Sequence, residues 1–214
     1  SQASSLGGLN EEFIYAPRLD NLAMCHASLQ ALVSEKPKSV ISMAALFDHE
    51  EVGSTSAQGA CSNFLPAVLE RISLALGLSR DESLASLRGS KMFSADMAHA
   101  VPPNYPERHD ADHHPLINQG PVIKVNANQR YATDSETGAY FAMLCKKAKV
   151  NVQNFVSRND CPCGSTIGPS VANNLGIPTV DVGNPMLLMH SIREMAGSED
   201  HDSMIKVFKG FYSK

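Results

Sequence analysis

No apolar stretch in the 214 residues approaches the roughly 20 needed to span a bilayer, so no membrane partner is expected. A basic excess is missing too. The 18 Lys and Arg residues stand against 22 Asp and Glu, a formal net charge of −4 with a pI near 6.0. That balance argues against a nucleic-acid or anionic-membrane surface. Internal repeats and low-complexity tracts are lacking as well. The cysteines do not form an even disulfide framework: Cys25, Cys61, Cys145, Cys161 and Cys163 are five and scattered. They read as reduced thiols in a cytoplasmic setting. Only one residue separates Cys161 from Cys163, not the two of a zinc knuckle or redox pair. A last shortage matters most below: no histidine precedes His26.

What is present is the composition of one globular domain, 43% hydrophobic and 19% charged, long enough to bury a substantial core. Apolar residues over 20–34 recur at helical spacing. Residues 39–47 (SVISMAALF) form a compact, partly β-branched run, expected as a central strand buried on both faces. A helix is expected within 56–76, and a short strand at KMFSADM (91–97). A polar excursion spans 101–119. Further strands are expected at 121–126, 152–158 and 177–183, with helices over 135–150, in the glycine-rich stretch ending at Gly176, over 190–197 and over 201–213. Strands alternating with helices predict an α/β layered fold with a mostly parallel central sheet.

In open α/β sheets, ligands sit at the carboxyl ends of strands. Four places pass that filter: Asp20 before a helix, Glu50 and Glu51 after the strand 39–47, Asp96 after KMFSA, and His190 after 177–183. Each alone has a plain explanation. Asp20 serves as a helix N-cap, the glutamate pair as a solvated loop tip, Asp96 as a turn residue, and His190 as a hydrogen-bonded core histidine. Together, carboxylates and an imidazole gathered at element ends make a hard-ligand set suited to a pair of divalent ions. Such a pair needs a bridging carboxylate, terminal ligands, and a further carboxylate to take a proton from water. Adjacent glutamates in extended backbone point opposite ways, so one can hold a metal while its neighbour serves the water. On spacing alone this is a metallohydrolase pattern and no more.

The stretches FIYAPRLDNL, LFDHEEVGSTSAQGA, SADMAHAVPPNY, GPVIKVNANQRYA, RNDCPCGSTIGP and MHSIREM, in that order, resemble the aspartyl aminopeptidase family. The likeness runs from about Glu12 to Tyr212. It implies a zinc-exopeptidase-like (phosphorylase/hydrolase-like) helix–sheet–helix fold and removal of acidic residues from peptide N-termini. It also implies two zinc ions, with Mn or Co as substitutes, and a homo-oligomer, a dodecamer in the family. By the same resemblance Asp20 bridges the metals, Glu50 is the general base, Glu51 and His190 share one metal, and Asp96 binds the other. His99, Lys124 and Tyr131 then lie around the substrate. Lys124 suits the substrate's acidic side chain, and Tyr131 a developing oxyanion. The CGSTIG turn (163–168) suits an anion. Lys124 and Tyr131 also have plain readings, as a strand-end lysine and as packing. His49 is expected beside the centre rather than in it, and His113 and His114 at the surface or in subunit contacts.

The resemblance is incomplete. The family places another zinc-binding histidine upstream, followed by an inserted dimerisation domain. Residues 1–214 are therefore expected to be the C-terminal part of the catalytic domain, and the small, polar SQASSLGGLN suits a junction within a longer chain. A truncated, inactive subunit and a di-metal aminopeptidase of other specificity stay open as alternatives.

Overall fold

A computed structural model describes residues 2–37 and 39–213. Its strands are β1 (Ser5–Gly7), β2 (Phe13–Ala16), β3 (Met92–Ala95), β4 (Ala98–His99), β5 (Val122–Val125), β6 (Gln153–Val156), β7 (Thr179–Gly183), β8 (Pro185–Leu187) and β9 (Glu194–Gly197). The helices are α1 (Leu19–Ser34), α2 (Phe64–Ala75), α3 (Arg80–Gly89), α4 (Ser135–Ala148), α5 (Gly168–Leu175) and α6 (Ser198–Tyr212).

The fold is α/β as expected, but its sheets are mixed rather than mostly parallel. The four-stranded sheet runs β3-β7-β5-β6, with β3 parallel to β7, β6 parallel to β5, and β5 antiparallel to β7. Helix α4 makes the crossover that parallel β5 and β6 require. The chain enters β5 through the polar excursion instead of a helix, and it enters reversed. Alternating helix and strand patterns reveal crossovers but not the direction in which a strand re-enters. The second sheet, β1-β2-β9-β8-β4, is antiparallel except for β4 against β8. Its strands of two to four residues are too short to show a period.

Two expectations fail. Residues 190–197 are a turn followed by β9, because Glu194–Gly197 pairs with β2 on one side and β8 on the other. Tertiary pairing here overrides a helical pattern. Residues 39–47, expected as a central strand, carry no strand assignment and no ladder partner among the described residues. Their apolar side chains are partly open, with Ile41 64% and Leu46 47% exposed. Helix α3 went unanticipated although its start is written in SRDE: Ser79 accepts the Glu82 N–H and Glu82 caps the Ser79 N–H, a capping box. Pro66 sits in the first turn of α2, where its missing N–H costs nothing. Gly176 ends α5 with φ 68°, as glycine readily does.

The core lies between β7, α1, α4 and α6, centred on Met24, Phe141, Val182, Met204 and Phe208. At the end of β7 the backbone of Gly183 passes so close to β3's exit that an added Cβ would overlap the Asp96 carbonyl oxygen. Asp96 is further fixed by its N–H donating to Val182 O at 2.9 Å. Gly183→Ala is therefore expected to destabilise the chain by about 1–3 kcal/mol in denaturant unfolding. Gly89→Ala, at the open end of α3 with nothing near the new methyl, should not destabilise it.

Candidate metal centre

Three segments converge at the carboxyl end of β3. The first is the start of α1, where Asp20 (φ −80°, ψ 108°) and Asn21 depart from helical geometry. Asn21 Nδ2 donates to Ala95 O at 2.8 Å, tying this kink to the end of β3. The second is a 3₁₀ turn at Glu50–Val52, bracketed by His49 (φ 60°) and Gly53 (φ 97°) and closed by Gly53 N–H to Glu50 O and Ser54 N–H to His49 O. Positive φ at both ends makes the turn tight. The third is the loop between β8 and β9, which carries His190 at φ 67°.

Three of these side chains meet. His190 Nε2 lies 3.2 Å from Asp20 Oδ2 and 3.1 Å from Glu51 Oε2. One ligand atom from each of Asp20, Glu51 and His190 falls within 4.8 Å of the others. The Asp20 side chain is buried, whereas those of Glu51 and His190 are open to solvent. Asp96 stands beside Asp20. Burial above all, then the Asp96 charge and a hydrogen bond shared with it, push the Asp20 carboxyl up to about 8. Glu50 is raised as well, first by burial and then by Asp96 and Glu51. Repelling carboxylates with an imidazole among them fit a divalent cation of zinc's preferences, which would remove the repulsion.

The second tier is placed less simply. Lys124 is 3% exposed, and its ammonium pairs with Asp96 Oδ2 at 2.8 Å. It also lies 5.6 Å over the ring of Tyr131. Tyr131 is buried, and burial together with its hydrogen bond to Cys163 holds its hydroxyl protonated well above the usual range. His99 is solvent-exposed at the end of β4, with its ring 6.4 Å from that of Phe155. His49 turns away and bonds Ser56 Oγ at 2.6 Å. His113 pairs with Asp110 at 2.6 Å, and His114 is exposed. In the CGSTIG turn, the Gly168 N–H is taken by Thr166 Oγ1, whose hydroxyl binds Asp181.

Two supporting residues escaped the sequence analysis. Asp181, fully buried on β7, accepts from Thr166 Oγ1 and from Ala132 N–H, joining the Tyr131 loop to the CGSTIG turn. Glu194 accepts the backbone N–H groups of Asp20 and His190. Asp181 showed only as a lone acidic residue inside an apolar strand, and Glu194 lay in a stretch read as helix. A largely apolar cavity of about 1190 Å³ between residues 39–47, α2, α3, β3 and α6 reaches the centre, where Asp20, Glu50, Glu51 and Asp96 line it.

The model of the family described as "Aminopeptidase I zinc metalloprotease (M18)" matches residues 1–212. The chain is 51% identical over 213 residues to the "Probable M18 family aminopeptidase 2" of Ectopseudomonas mendocina, covering 100% of this chain and 48% of that protein. It is 48% identical over 225 residues to "Aspartyl aminopeptidase 4" of Saccharomyces cerevisiae, covering 99% and 46%. It superposes on the solved structure of the S. cerevisiae mApe1 dodecamer with a TM-score of 0.85 at 34% identity, over 99% of this chain and 48% of that one. The chain thus spans about half the length of the curated relatives it matches.

The Asp20 shift sets a pH dependence. A carboxyl raised in the folded state binds more protons folded than unfolded, from the unfolded value near 3.8 up to about 8. Across that window its contribution to stability falls as pH rises. In excess chelator, urea unfolding should show Asp20→Asn gaining on the wild type between pH 5 and 8. Saturating zinc should reverse the order.

Proposed function

The chain belongs to the M18 aminopeptidase family, and we propose that it is the C-terminal part of the catalytic unit of a zinc aminopeptidase that releases N-terminal aspartate or glutamate from peptides. One observation carries the reading: Asp20, Glu51 and His190, from three separated segments, place ligand atoms within 4.8 Å of one another, with Asp96 against Asp20. Asp20 would be shared between two zinc ions, with Glu51 and His190 holding one and Asp96 the other. Zinc bound there supplies Lewis-acid chemistry, polarising the scissile carbonyl and acidifying water.

The remaining work falls to the protein. Glu50 accepts the proton of the attacking water and passes it to the leaving amine. Its raised pKa brings it towards the working pH of a general base. Tyr131, kept protonated, donates to the developing oxyanion. Lys124 is the buried cation at the centre, paired here with one carboxylate, and a substrate's acidic side chain is a second carboxylate of the same kind. His99 lines the approach.

Three features support a larger catalytic unit. Among the described residues no second set of three such groups gathers around Asp96. Residues 41–47 hold apolar side chains at the surface beside the cavity. The curated relatives carry about as much chain again. An upstream ligand and an inserted dimerisation domain would complete the site. A homo-oligomer follows by analogy with the dodecameric relative, and five free thiols suit a cytoplasmic location. The incomplete second ligand set is also what an inactive subunit on the same scaffold would have.

Intact mass separates these readings: 23.0 kDa favours the truncated subunit, and about twice that the enzyme. In the complete protein, Glu50→Gln should cut hydrolysis of aspartyl and glutamyl substrates by at least about 10²-fold while bound zinc is retained. Activity that survives this change, or that resists chelator, would overturn the assignment. Lys124→Ala should raise KM for acidic substrates more than for neutral ones. Equal effects would favour another specificity.

A further inference from the structure

The first residue of β9 is a glutamate where the chain has no evident use for one. Glu194 is 2% exposed. Among the described residues no Lys, Arg or His side-chain nitrogen lies within 4.0 Å of its carboxylate. A buried carboxylate without a counter-cation is costly unless its oxygens are fully used. Here they are used in an unusual way. Oε2 accepts the backbone N–H of Asp20 at 3.1 Å, and Oε1 accepts that of His190 at 2.7 Å. These are the two residues whose side chains meet at 3.2 Å in the cluster.

Neither N–H has an evident alternative acceptor. That of Asp20 belongs to the first turn of α1, where donors have no intrahelical partner. That of His190 lies in a loop whose residue has a left-handed φ of 67°. A non-glycine residue keeps such a conformation only where its surroundings impose it. Glu194 itself cannot drift, since β9 is paired to β2 through Ala16↔Glu194 and to β8 through Leu187↔Met195. A fixed carboxylate therefore sets the spacing of two ligand backbones that lie 170 residues apart in the chain.

Resting on the metal-centre reading above, we propose that Glu194 is the positioning residue of that centre: it staples the Asp20 and His190 backbones together so that carboxylate and imidazole converge before any cation arrives. Its role is geometric, through both oxygens at once. Gln offers one acceptor and turns an NH₂ towards the other N–H. Asp keeps the charge but falls a methylene short of spanning both.

The test is zinc affinity, read by competition with a chromophoric chelator on metal-stripped wild type, Glu194→Gln and Glu194→Asp, with amide hydrogen exchange at Asp20 and His190 measured without metal. Both variants should bind zinc at least about tenfold more weakly. The two amides should be protected in metal-free wild type and exchange faster in both variants. Affinity within twofold of wild type in Glu194→Gln overturns the proposal. So does wild-type affinity in Glu194→Asp, which would make charge rather than position the cause. If the Gln variant does not fold, Glu194→Asp and wild-type exchange decide, and unprotected amides at Asp20 and His190 overturn it. A wild type that takes up no zinc brings down the metal-centre reading itself, and this inference with it.

Discussion

Carboxylates that repel one another are held together at the end of β3 by bonds that do not involve their charge. Asn21 hooks onto Ala95 O, the Asp96 N–H onto Val182 O, and the Asp20 and His190 N–H groups onto Glu194. Backbone hydrogen bonds thus hold a side-chain arrangement that burial and mutual repulsion oppose, and Asp20 and Glu50 are raised by burial first and by the neighbouring carboxylates after it. A scaffold that spends stability this way is poised for a cation. The rest of the structure follows from that constraint. Gly183 must be bare so that β7 can press against Asp96, and the 3₁₀ turn must close tightly so that Glu51 faces His190 while Glu50 stays beside it.

The neighbouring glutamates show how the same constraint divides labour. Glu51 reaches the imidazole, while Glu50 is half-buried and raised, by burial first and then by Asp96 and Glu51. Lys124 tempers the site from below as a buried cation, lowering both Asp20 and Glu50 while stacked over Tyr131.

Much of this was legible in the residues. The candidate residues stood out because Asp20, Glu51, Asp96 and His190 each fall at an element end, and β5, β7, α1, α4, α5 and α6 declared themselves by period, cap or glycine. What stayed hidden depends on partners distant in sequence. The strand β9 looked helical until β2 and β8 lay beside it. The reversal of β5 against β7 follows from the route of the excursion, which no local pattern encodes. Residues 39–47 have the composition of a central strand, but composition cannot supply a neighbour to pair with. Glu194 and Asp181 were invisible for a related reason, since their roles lie in which backbone groups they reach.

Whether the Asp20–Glu51–His190 cluster is a zinc centre, as proposed, can be read by anomalous scattering at the zinc edge from crystals of the protein grown without chelator. A zinc peak in contact with Asp20, Glu51 and His190 is expected. Zinc found only at cysteines or surface histidines, with none at this cluster, would contradict it.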